Sequence, residues 1–409
     1  MTRMQFHLTL GLGVALGAAS LSAFAADPPK LPQPYHTPSA ANAPKVIPQP
    51  SGVALKVPAG FTASEFASGF AKPRYLLEGP SGEILLSDSV KNGTVFVLSD
   101  SNHDGRISDG EKSALVSGLD RPFGLAFWKN YLYIAEATSV KRYPYDSAKR
   151  TVGPAEEIIP LKGEDQGHWT RTILFNAKGD KLYLGIGSRS NIAPGDPEYR
   201  AAVLRYNPDG SGREVVAGGI RNPVGLALSP ESGELWATVQ ERDGLGDDLV
   251  PDFFTQVKEG AYYGWPYAYI GPNEEPRNKG QRPDLVAKTI VPDVILTPSH
   301  VAAMDVRFYT GKQFPARYRN GAFIALRGSS NRAQRTGYSL VFIPFKKGKP
   351  SGPQEDFLTG FMLNPAEKEV WGRPVGVLAR KDGSLLFTED AGNRLYLVTY
   401  CLLYTSRCV

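Results

Sequence analysis

The chain has 409 residues and a formal net charge of +5, and this small excess comes without a basic run, which argues against a nucleic-acid ligand. Its two cysteines, Cys401 and Cys408, both fall in the last nine residues, so no disulfide is expected to staple the core. After the first residues no stretch nears about 18 consecutive apolar residues, and the chain is not expected to span a membrane.

Residues 1–25 carry Arg3, an apolar run and Ala23-Phe24-Ala25, the pattern of a signal peptide cleaved after Ala25. That pattern predicts a periplasmic or secreted protein. Residues 26–50 hold eight prolines among Ala, Gln and Ser and read as a flexible linker. FTASEFAS, residues 61–68, is an isolated strand pattern. From Lys72 onward a unit of strand, polar turn and strand recurs: KPRYLLEGPSGEILLSD, RPFGLAFWKNYLYIAE from Arg121, HWTRTILFNAKGDKLYLGIG from His168, RNPVGLALSPESGELWATVQ from Arg221, SHVAAMDVRFY with YRNGAFIAL from Ser299, and GRPVGVLARKDGSLLFTED from Gly372.

The steps from Pro73 to Pro122, Thr170 and Pro223 are close to 50 residues, a period that with several strands per unit marks propeller blades. Residues 51–400 are therefore expected to form an all-β, six-bladed β-propeller of four-stranded antiparallel blades. The last unit supplies only three strands, so 61–68 should complete it and close the ring. The final CLLYTSRCV, residues 401–409, matches no earlier unit and reads as a tail foreign to the fold.

In a propeller the first strand of each blade lines the channel, so residues just before those strands converge. Superposing the units on the proline column puts Lys72, Arg121, Trp169, Asn222, His300 and Arg373 at one position, with His168 and Arg221 one residue earlier. A solvated turn explains any one of them; a ring of cations with an aromatic face suits a flat, anionic, aromatic ligand. The tyrosines and tryptophan of AYYGWPYAY, 261–269, read mainly as core packing. Two acidic segments offer metal ligands. DSNHDGRISDGE, 100–111, fits the twelve-residue calcium loop through Asp100, Asn102, Asp104, the Arg106 carbonyl, Ser108 and Glu111. QERDGLGDDLVPD, 240–252, offers carboxylates and carbonyls in a glycine-broken loop, with Asp243, Gly244, Asp247 and Asp248 as candidates.

GHWTRTILF, GGIRNPVGLAL, ERDGLGDDLVPD, YYGWP and WGRPVGV together resemble the glucose/sorbosone dehydrogenase family, closest to its L-sorbosone dehydrogenase branch, from about residue 55 to 400. The resemblance implies pyrroloquinoline quinone (PQQ) as cofactor, calcium polarising its reactive carbonyl, and hydride transfer from an aldose, sorbosone or related aldehyde. It implies His168 as catalytic base, Arg221, Asn222 and Arg373 on the cofactor, and backbone oxygens of Asp243 and Gly244 on the calcium. A soluble electron acceptor would complete the cycle. Arg327 stands where relatives carry a lysine, Ser330 where they carry a tryptophan, and one arginine, Arg373, where glucose enzymes pair two. Rival readings are a calcium-dependent lactonase-like hydrolase and a non-catalytic binding propeller.

Overall fold

The structure, a computed structural model, describes residues 30–401; the signal-peptide expectation and residues 402–409 lie outside that range. Six antiparallel sheets form the blades, five of them four-stranded and that of blade 2 carrying two short strands side by side at its fourth-strand edge. Blade 1 consists of Pro73–Glu78, Ile84–Asp88, Gly93–Leu98 and Lys112–Leu119. Blade 2 comprises Leu125–Trp128, Tyr131–Glu136 and Ser139–Asp146, whose outer edge pairs with both Thr151–Val152 and Glu156–Pro160. Blade 3 runs through Arg171–Phe175, Leu182–Ile186, Ala202–Tyr206 and Glu214–Gly218. Blade 4 has Pro223–Leu228, Leu235–Val239, Phe253–Gln256 and Val294–Ile295; blade 5 has Ala303–Phe308, Ala322–Leu326, Ser339–Ile343 and Glu355–Leu358.

Blade 6 is built from both ends of the fold. Pro374–Ala379, Leu385–Glu389 and Arg394–Tyr400 are joined by Phe61–Ala67, which pairs antiparallel with Arg394–Tyr400 as the three-strand unit required. Phe61 is buried there, its ring packed edge-on against Phe314 and Phe357 of the blade 5 region.

Apolar side chains alternate along these strands and meet between blades. Trp236 of blade 4, for example, packs against Phe254 and across the blade boundary on Phe308 and Phe345. Polar ties add to this. Ser87 Oγ donates to Phe123 O (2.7 Å), Thr238 Oγ1 to Met304 O, and Thr388 Oγ1 to Arg74 O (2.7 Å), each from a second strand to the backbone at the start of the next blade. The Pro-x-Gly repeats of blades 2, 4 and 6 belong to the same seam. A Cβ at Gly124 would lie 2.6 Å from Arg171 O, and one at Gly225 2.6 Å from Met304 O. Backbone cannot yield as a side-chain tip can, so Gly225→Ala should cost about 1–3 kcal/mol by overpacking. Denaturant unfolding checks this; a midpoint equal to the parent's would contradict the seam.

The proline-rich stretch departs from expectation. From Tyr35 on, its residues lie on the propeller instead of forming a free tether: Lys45–Val46 pairs in parallel with Glu369–Val370, and Tyr35 N donates to Leu245 O (2.8 Å). Composition signalled extended backbone, which is observed, but extended backbone can also pair with an edge. The insertion in blade 4 carries the short helix Pro283–Lys288 and the 261–269 aromatics. Tyr263 and Trp265 are buried in it, and Trp265 Nε1 donates to Asn191 O (2.8 Å). Among the described residues no helix is long and apolar enough to cross a membrane.

Candidate functional site

The starts of the inner strands and the ends of the second strands meet at one mouth of the ring, around a cavity of about 330 Å³. Its wall includes His168, Trp169, Arg221, Asn222, His300, Arg327 and Arg373 from the proline-aligned and loop positions, and adds Arg74, Gln240, Glu241, Asp243 and Asp252.

His168 precedes the first strand of blade 3, and Gly187 makes room for it: a Cβ there would sit 2.6 Å from the His168 Cβ. Its Nδ1 lies 2.8 Å from Ser188 O. A carbonyl can only accept, so Nδ1 carries the proton and Nε2 keeps its lone pair on the side left to the cavity. Burial, reinforced by the Arg221 charge, pushes the imidazole pKa down to about 3. The ring is thus neutral and able to accept a proton. His300 is the opposite case. Nε2 is 3.1 Å from Gly246 O and Nδ1 3.1 Å from the Asp243 carboxylate; burial works against the charge, but these two acceptors raise its pKa.

The far wall has more cations than anions. Arg74 and Arg327 share the single carboxylate of buried Asp390, Arg327 in a two-point pair at 2.9 and 3.0 Å. Arg373 has no carboxylate; its Nε and Nη2 donate to Arg327 O (3.1 Å) and Gly328 O (3.0 Å). Burial, then repulsion from Arg327, lowers its pKa to about 10, and burial lowers Arg74 to about 10. Arg221 likewise donates to neutral oxygens, Asn191 O, Asn191 Oδ1 and Glu241 O. Three guanidiniums around one carboxylate fit a multiply charged anion. Trp169 supplies an aromatic wall, with Arg74 5.6 Å from its ring centroid. On the opposite side two buried acceptors, Asn222 Oδ1 and Glu241 Oε1, have no hydrogen-bond partner, a donor set suited to a hard cation or an N–H or O–H group.

Several expectations need correcting. Arg121 is outside the cavity wall: it is held by Asp120 and Asp165 (both 2.9 Å) and lies over Trp169, 5.7 Å from its centroid. Lys72 is not in the wall either; its neighbour two residues on, Arg74, is. The Asp243 carbonyl already accepts from Asn191 Nδ2 (2.9 Å) and Arg277 Nη1 (2.8 Å), so what this residue offers the cavity is its carboxylate. At Gly244 the close approach of Arg277, 2.7 Å from a would-be Cβ, puts a cation beside the expected calcium ligand. Asp247 and Asp248 turn away to Ala333 N and Arg332.

The 100–111 loop has its turn at Gly105 (φ +77°) and the Asp100, Asn102 and Asp104 side chains accepting backbone N–H groups. Among the described residues nothing donates to the Arg106 carbonyl, while the Glu111 carboxylate is engaged by Ser101 and by Ser108 N and Oγ. Among the described residues no three His, Cys, Asp or Glu side chains gather to hold a metal. Those hydrogen bonds lower the Glu111 pKa from 4.5 to about 2. Its contribution to stability should therefore be present above about pH 4.5 and fade as pH falls toward 2. Glu111→Ala should lower the melting temperature at pH 7 with or without chelator; a loss seen only in calcium would restore the metal-loop reading.

A family model described as TrAA12-like matches residues 55–251 and 274–401. An uncharacterized protein of Borreliella burgdorferi is 32% identical over 364 residues, covering 85% of this chain and 91% of its own. A pyrroloquinoline quinone-dependent sugar dehydrogenase of Hypocrea jecorina is 22% identical, covering 81% and 86%. The holo form of the pyranose dehydrogenase PQQ domain from Coprinopsis cinerea superposes with a TM-score of 0.72 at 19% identity, over 86% of this chain and 98% of that one, a likeness of fold.

Proposed function

Because the chain belongs to the TrAA12-like family, we propose that it oxidises an aldose, sorbosone or related sugar aldehyde with PQQ as bound cofactor. The observation that carries this is the cavity itself: a cation-rich wall and an aromatic face opposite a neutral histidine. When bound, PQQ supplies a two-electron acceptor. Arg74, Arg327 and Arg373 would hold its carboxylates, Trp169 would flank its plane, and Arg221 with Asn222 would complete the wall. His168 Nε2 takes the proton from the sugar hydroxyl or aldehyde hydrate, while Ser188 O keeps Nδ1–H in place. A calcium ion would be held by the partnerless oxygens of Asn222 and Glu241 and by the Asp243 carboxylate.

Residues 1–25 support export, and a soluble acceptor is the proposed destination of the electrons. Reconstitution tests the reading. The purified chain with PQQ and calcium should reduce an artificial acceptor when given aldoses or sugar aldehydes, and omission of calcium should abolish turnover. Lactone hydrolysis without quinone, and no oxidation with it, would overturn the proposal.

A further inference from the structure

We infer that the proline-rich segment at residues 35–47 is a strap that sets the position of the two outer loops of the cavity, with Thr37, Ser39 and Asn42 as positioning residues. The argument starts from loop 243–248. It holds two glycines at positive φ, Gly244 (+96°) and Gly246 (+109°), and such backbone has much freedom to lose on ordering. Two of its backbone donors are satisfied from the strap: Asp247 N donates to Thr37 Oγ1 (2.8 Å) and Gly246 N to Ser39 Oγ (3.0 Å). The strap comes so close that a Cβ at Gly246 would lie 2.7 Å from Thr37 O.

From Gly246 the chain of contacts runs inward. Gly246 O accepts from His300 Nε2, and His300 Nδ1 meets the Asp243 carboxylate, both in the cavity wall. A hydroxyl on the strap thus fixes the peptide that fixes the imidazole that aims Asp243.

Asn42 does the same for the second loop. Its N donates to Ser330 O (2.8 Å) and its Nδ2 to Arg332 O (3.0 Å) and Ala333 O (2.9 Å), while Arg335 returns bonds to Asn42 O and Oδ1 (both 2.8 Å). Ser330 and Asn331 line the cavity. The two loops are also clasped to each other, Arg332 to Asp248 (2.8 Å) and Ala333 N to the Asp247 carboxylate (3.1 Å). The strap then anchors on the segment before Arg373 through Lys45–Val46 against Glu369–Val370. Three consecutive blades, 4, 5 and 6, are tied together by one segment that lies far from them in sequence and outside all six blade sheets.

The inference rests on the proposed function for its meaning, though not for its test. In the full chain, Thr37→Ala/Ser39→Ala is compared with Thr37→Ser/Ser39→Thr, which keeps both hydroxyls. Amide hydrogen exchange of the cofactor-free protein and the PQQ dissociation constant are measured on each. The alanine pair should speed exchange in 243–248, raise the dissociation constant about tenfold, the scale of one or two neutral hydrogen bonds, and leave exchange in the blade strands at the parent rate. The hydroxyl-keeping pair should match the parent. Parent-like loop exchange in the alanine pair, equal defects in both pairs, or faster exchange throughout the blades would each overturn the strap. A parent that binds no PQQ would instead overturn the proposed function, and the exchange comparison would still decide the strap.

Discussion

His168→Gln should fold, bind the quinone and turn over about 100-fold more slowly or worse, the usual scale for losing a general base. Glutamine keeps an amide that can donate toward Ser188 O, but it has no lone pair basic enough to take a hydroxyl proton. The electrostatics add a second readout. With its pKa pushed down to about 3 by burial and Arg221, the imidazole of the cofactor-free protein is deprotonated at every pH above about 4, so its resonances should not titrate between pH 5 and 8. Near-parent turnover in the variant would make His168 a structural residue, whereas an ordinary titration near pH 6.5 would contradict only the burial and Arg221 repulsion argued for its imidazole.

Arg373→Gln should weaken PQQ binding by about 10- to 100-fold, the scale of one charge-assisted hydrogen bond, while leaving the cofactor-free protein at least as stable as the parent. The signs oppose because the Arg373 guanidinium is buried against carbonyls with no carboxylate partner among the described residues and is repelled by Arg327. Glutamine removes that repulsion and retains a donor for the Arg327 or Gly328 carbonyl. Melting of the cofactor-free variant and equilibrium binding check the pair of effects. A large drop in melting temperature with unchanged affinity would make Arg373 a structural cation.

The propeller was legible because its repeat is physical: the blade-opening positions Pro73, Pro122, Thr170 and Pro223 recur near a 50-residue period, and where the opening reads Pro-x-Gly, the next blade's backbone approaches the glycine, as at Gly124 and Gly225. Ring closure by 61–68 followed from a strand deficit. One ring of the site was legible on the same column, in His168, Trp169, Arg221, Asn222, His300 and Arg373. A second ring was less so. The residues just after the second strands include Gln240 and Arg327, which reach the same cavity, and Asp390, which holds Arg327 from behind the wall; superposing SVK, SRS, QER, RGS and DAG would have exposed them. Arg74 was passed over because it follows the aligned proline instead of preceding it. Arg121 had the right column but a local carboxylate pair, Asp120 and Asp165, that only the fold brings to it. The acidic loop misled for a related reason: carboxylates at 247 and 248 look like ligands until Arg332, more than 80 residues away, is placed against them. The linker's composition described its backbone and not its contacts, since pairing with a distant edge leaves no local signature.

The central claim is that the cavity is a quinone pocket, and direct titration of the cofactor-free protein with PQQ in calcium tests it most directly. Trp169 stands in the wall, so quenching of its fluorescence reports occupancy. The account predicts saturable binding of one quinone per chain at micromolar concentration or below, with the quenching amplitude reduced in Trp169→Phe. Absence of saturable binding in that range would contradict it and leave a binding propeller as the better account.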